Sequence, residues 1–183
     1  MQSDPITFLQ STTEHYTTVI LAQCTWYFAT PQVFSDILVA LRDRADRICI
    51  SEYALTAADH RASPHVLATL AQAALECRKP SSSSNVRTVL SPERLRAAAL
   101  ATGLSVKAES VVQPPEGMLD GTWEVGWVVS KDFEKEIEEF VKDEREKAVV
   151  VAARDSVRAA SELVKATGDK VRTMDVWVAT FAK

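Results

Sequence analysis

Two short runs, Thr17-Thr18-Val19-Ile20-Leu21-Ala22 and Arg47-Ile48-Cys49-Ile50-Ser51, flank a stretch of helical periodicity, and no other feature constrains the fold as strongly. The first run is apolar or β-branched at nearly every position. That pattern fits a strand buried on both faces, as in a parallel sheet. Between the runs, Thr30-Pro31 supplies a cap followed by proline, and Val33, Phe34, Ile37, Leu38 and Leu41 recur at helical spacing up to about Ala45. Strand, helix and strand in this order predict an α/β domain with parallel strands and a right-handed crossover.

The rest of the chain extends the pattern. Asp4-Pro5 opens a short first helix, with Asp as cap and Pro at the first helical position. Ser63-Pro64 starts a helix through Leu67, Leu70 and Leu75, and Ser91-Pro92 starts another that Gly103 closes. Between these two helices, Lys79-Pro80 and the serines from Ser81 to Ser84 form a loop. Leu104 to Gln113 reads as a strand, and Asp175 to Phe181 as a final one. Between them the chain is mostly helical, with one long helix from Asp143 to Thr167. Trp123 to Val129 fits either a strand or a helix, and the helical reading is preferred because it leaves two closing strands around a helical insert.

Composition excludes several classes. A net charge of −4 and the lack of a basic stripe argue against nucleic acid as partner. No run approaches the roughly 20 apolar residues that cross a bilayer, and the first residues have no basic-then-apolar signal pattern. Three scattered cysteines form no pairing framework, which fits free thiols in a reducing, cytoplasmic setting. No His/Cys/Asp/Glu grouping has metal-ligand spacing, so no metal is expected.

Several segments keep a consistent order along nearly the whole chain: Cys24-Thr25-Trp26-Tyr27-Phe28, Glu52-Tyr53-Ala54-Leu55, Asn85 to Pro92, Asp120-Gly121-Thr122-Trp123-Glu124-Val125, and Met174 to Ala179. In these the chain resembles class I S-adenosylmethionine-dependent methyltransferase-like proteins common in filamentous fungi. The resemblance implies a Rossmann-like sheet of strand order 3-2-1-4-5-7-6 with strand seven antiparallel. Thr17 to Ala22 then corresponds to strand four, Arg47 to Ser51 to strand five, Leu104 to Gln113 to strand six, and Asp175 to Phe181 to strand seven. On this reading residues 1–183 are a single, truncated domain, with a helical insert or lid at 117–170. The glycine-rich turn that lets backbone approach the cofactor has no counterpart, since none of the five glycines follows a buried strand and opens a helix.

The resemblance also places candidate residues at the carboxyl ends of the strands, where ligands bind in open α/β sheets. Gln23 and Cys24 would touch the methionine end of S-adenosylmethionine, and Tyr27 and Tyr53 would face a small-molecule substrate; Trp123, which begins the insert, would be a wall for that substrate or part of the insert's own core. Glu52 and His65 are the candidate proton acceptors. Each has a plainer role beside it: Trp26, Tyr27 and Phe28 as packing for the top of the sheet, Cys24 as an inert buried thiol, Glu52 as a cap or salt-bridge residue, and His65 as a surface or capping residue. Two functions follow. One is small-molecule O- or N-methyl transfer with an incomplete cofactor site. The other is a non-catalytic module that dimerises, or binds a partner, through the open edge of strand four.

Overall fold

Tyr16–Ala22 (β1), Ala45–Tyr53 (β2), Ser105–Val112 (β3) and Val176–Ala182 (β4) form one sheet in the order β1-β2-β4-β3. This is a computed structural model, and it describes residues 4–183. β1 and β2 are parallel, while β4 runs antiparallel to both β2 and β3. The order and directions are those expected for strands four, five, seven and six of a Rossmann-like methyltransferase sheet. Seven α-helices lie among the described residues: Pro5–Ser11 (α1), Pro31–Leu41 (α2), Ser63–Glu76 (α3), Pro92–Ala101 (α4), Asp120–Val128 (α5), Lys131–Phe140 (α6) and Glu144–Ala166 (α7).

The chain divides into two compact units. The first comprises the chain up to Ala54, Leu90–Val112 and Val176–Lys183, and holds the sheet with α1, α2 and α4. Its core is built by alternation. Ile48 and Ile50 of β2 and Trp177, Ala179 and Phe181 of β4 point to one face, where they meet Phe34, Ile37, Leu38 and Leu41 of α2 and Leu95 and Ala99 of α4. The Asp4 carboxylate caps α1 by accepting the Thr7 N–H, and Ser91 caps α4 by accepting that of Arg94. Thr30 stands at the cap position of α2 without a side-chain hydrogen bond, so Pro31 alone sets that start.

The second unit, Leu55–Val89 and Gln113–Asp175, contains α3 together with α5, α6 and α7. Its core joins Ala68, Ala71 and Leu75 of α3 to Val125, Val128, Phe133, Ile137, Val150 and Val157. Trp123 to Val129 is helical, as preferred from sequence. Ser63 is not the cap of α3, because the helix begins at Ser63 itself after a 3₁₀ turn, with Ala62 in the cap position. Gly121 sits where α5 runs against the chain at Arg172. A Cβ there would lie 2.3 Å from the Arg172 carbonyl oxygen, closer than any side chain tolerates.

One expectation fails. β1 is not buried on both faces: Ile20 is 68% exposed, and Val19 and Leu21 are only half-buried. Apolarity marks a strand able to be covered, but it cannot tell a central strand from an edge whose outer side no described residue pairs. The opposite edge, β3, is blunted in the usual ways, with a register irregularity at Val106/Ala108 and charges at Lys107 and Glu109. β1 carries no charge and no irregularity in its pairing.

Candidate functional site

At the carboxyl end of β1 the chain turns sharply. Gln23 takes a left-handed backbone conformation (φ 47°) while its N–H donates to the Ser51 carbonyl at 2.7 Å. A non-glycine residue in that region costs energy and is held there by its surroundings. The 3₁₀ turn Thr25–Tyr27 follows, fastened from β2 by Glu52. Oε2 of Glu52 accepts the Thr25 N–H at 3.1 Å and the Thr25 hydroxyl at 2.7 Å, and Oε1 accepts the Tyr53 N–H at 3.0 Å. Burial raises the Glu52 pKa, against the lowering by those hydrogen bonds. With 1% exposure and three donors satisfied, Glu52 acts as a clamp between β2 and the turn.

The neighbours of Glu52 are set by the same burial. The Cys24 thiol is pushed up to about 11, first by desolvation and then by the Glu52 charge, so it stays protonated at neutral pH and is a poor nucleophile. Trp26 and Tyr53 pack together with ring centroids 4.7 Å apart, and both are buried. Tyr27, in contrast, is 49% exposed, and Gln23 is half-buried.

His65 and Trp123 belong to the second unit, each with its own surroundings. His65 is fully buried, which corrects the surface or capping role considered from sequence. Its Nδ1 accepts the Met174 N–H at 3.0 Å, and that fixes the neutral tautomer with the proton on Nε2. Burial pushes its pKa down to about 4, against a raising effect of the Asp120 charge. Trp123 lines an open cleft of about 260 Å³ with Gln72, Ser84, Asn85, Glu124 and Trp127. In it Gln72 Nε2 donates to Glu124 Oε2. The Glu124 pKa is raised by burial, with Gln72 lowering it and Asp120 raising it further.

The fold therefore gathers Gln23, Cys24, Tyr27, Glu52 and Tyr53 at one end of β1 and β2, as their positions after strands required. Two contributors were missed. Thr25 lies 27 residues from the carboxylate it satisfies, a tertiary pairing with no local signature. Gln72 could have been found, since it interrupts the apolar stripe Ala68, Ala71 and Leu75 of α3 and is itself buried.

Neither Glu52 nor Gly103 nor Gly168 supplies what an adenosine site needs. Glu52 is consumed by internal donors and is not free to grip a ribose. Gly103 and Gly168 have the permissive positive φ, yet they follow α4 and α7 rather than a strand. What remains at the β1 end is the Gln23 turn and the exposed Tyr27. No group of three or more His, Cys, Asp or Glu side chains among the described residues could hold a metal ion, and no helix among them is long and apolar enough to cross a membrane.

No family model and no curated protein matches the sequence. Among solved structures the whole chain (100%) is similar to a cyclopropane-fatty-acyl-phospholipid synthase-like protein from Lactobacillus casei, at TM-score 0.77 and 16% identity, and spans 61% of that protein's length. A SAM-dependent methyltransferase from Archaeoglobus fulgidus aligns over 100% of this chain and 66% of its own, at 13% identity and TM-score 0.48. At these identities the likeness is one of fold.

Proposed function

We propose that this chain supplies the substrate-side half of an S-adenosylmethionine-dependent methyltransferase-like domain, serving O- or N-methyl transfer to a small molecule once further strands seat against β1. The observation that carries this reading is the sheet itself. Its order β1-β2-β4-β3, with only β4 reversed between its neighbours, is half of the methyltransferase sheet. The half ends at an unblunted β1, on the side where that fold places the strands that hold the cofactor. Tyr27 stands exposed at the ligand-binding end, and Glu52 and Cys24 shape the turn that presents it.

Calorimetric titration of the purified protein with S-adenosylhomocysteine tests this. Binding in the micromolar range, about −8 kcal/mol, is expected if an assembly across β1 completes the pocket. A folded sample that gives no heat overturns the transferase reading for this form.

A second reading is favoured by the same edge. Beside β1, a groove of about 350 Å³ is lined by Phe8, Leu9, Tyr16, Val19, Leu21 and Ile37, among others. Phe8 is exposed in it at 46%, and Ile20, on the other face of β1, is exposed at 68%. On this account the chain is a non-catalytic module that pairs with a second copy through β1, and its readout is association state rather than cofactor binding.

A further inference from the structure

We infer that the cleft on α5 binds a small alkylammonium cation between Trp123 and Trp127, with Glu124 as its counter-charge. Residues three and four apart on a helix share a face, and at about 100° per residue Trp123, Trp127 and Glu124 fall within roughly 100° of arc. Val125 and Val128 occupy the other side, in the core. α5 thus presents two indole rings and a carboxylate together, away from its packing face.

Three features of this arrangement point to a cation. Glu124 is only partly exposed, yet among the described residues no Lys, Arg or His pairs with it, and its sole hydrogen bond is the one from Gln72. A half-buried carboxylate without a positive neighbour is an unfavourable element that a cationic ligand relieves. Asp120, one turn earlier, adds a second negative charge that acts on Glu124. The indole rings supply the complementary attraction, because tryptophan is the strongest aromatic partner for a cation. Their exposures of 65% and 37% are large for tryptophan.

The walls are also held in place. Trp127 meets Phe133 edge-on, with centroids 6.3 Å apart and planes at 87°. Gln72, at 4% exposure, fixes the Glu124 carboxylate and is itself one of the residues that line the cleft. A protonated amine would donate to the Glu124 carboxylate, whereas a quaternary one would rest on the rings beside it. The volume of about 260 Å³ is below that of pockets for drug-sized ligands, which limits the occupant to a compact headgroup. This inference does not rest on cofactor binding or on the β1 edge.

Calorimetry of the full chain with choline, and with its uncharged carbon isostere 3,3-dimethylbutan-1-ol, separates charge from shape. Saturable choline binding at about 1 mM or tighter is expected, with the isostere at least about tenfold weaker. Glu124→Gln keeps the shape of the Gln72 contact and removes the charge; it should weaken choline at least about tenfold while leaving the isostere unchanged. Trp123→Leu, at an exposed position, should weaken both. Equal binding of choline and the isostere, no saturation by roughly 50 mM, or full affinity in folded Trp123→Leu protein would each overturn the assignment.

Discussion

The imidazole Nδ1 of His65 accepts the backbone N–H of Met174 at 3.0 Å, tying the start of α3 to the segment just before β4. The bond requires neutral histidine, and burial lowers its pKa from 6.5 to about 4. In the unfolded chain the ring takes up a proton below about pH 6.5, while in the folded chain it does so only near 4. Stability from this group is therefore complete above pH 6.5 and is lost as pH falls toward 4, by about 3 kcal/mol. Urea midpoints measured from pH 7 to pH 4 should show that decline. His65→Asn keeps an acceptor in the place of Nδ1 and cannot titrate, so the difference between the two proteins should shrink as the pH falls. A constant difference would show that the His65 pKa is the same in the folded and unfolded chains.

Glu52 should matter to stability before it matters to chemistry. Glu52→Ala leaves the Thr25 and Tyr53 donors without their acceptor in a buried place and should cost about 3 kcal/mol. Glu52→Gln retains one acceptor oxygen and should cost less, about 1–2 kcal/mol. Chemical unfolding followed by tryptophan fluorescence reads both. An alanine variant as stable as the parent would show that the turn holds without its clamp.

The strands were readable from sequence because each is a short apolar or alternating run bounded by caps, prolines and glycines, and their order followed from the family resemblance. The environment of β1 was not readable. Thr17 to Ala22 has the composition of a covered strand, and periodicity reports what a strand can bury, not whether a neighbour is present. The same limit applies to the site. Position after β2 identified Glu52, but its consumption by Thr25 depends on how the turn folds back. His65 follows a Ser-Pro pair that reads as an exposed helix start, whereas the preceding 3₁₀ turn carries that start into the core.

The two glycines of α5 should respond in opposite ways. Gly121→Ala would place a methyl group 2.3 Å from the Arg172 carbonyl oxygen and 2.7 Å from its carbon. Backbone cannot yield as a side chain does, so a loss of about 3 kcal/mol and a melting temperature lower by roughly 6–12 °C are expected. Gly126 has nothing within 4 Å of the same added atom and lies inside the helix. Gly126→Ala should therefore stabilise, by up to about 1 kcal/mol, through helix propensity alone. Thermal melts of the two variants compare steric fit and propensity within one nine-residue helix.

Self-association, if β1 mediates it, should respond to charge on that strand. Ile20 is the large apolar residue that β1 exposes, at 68%, and β1 has neither the charge nor the irregularity that blunts β3. Lysine on an edge strand opposes strand addition because a paired edge must desolvate its charge or splay to avoid it. At a position already facing water, Ile20→Lys should change folding stability by no more than about 0.5 kcal/mol. Sedimentation velocity at increasing concentration should show the parent protein moving toward a dimer while Ile20→Lys stays monomeric. A parent that remains monomeric throughout would remove the second copy as the occupant of the edge. Dimerisation unchanged by the lysine would place the contact elsewhere on the chain.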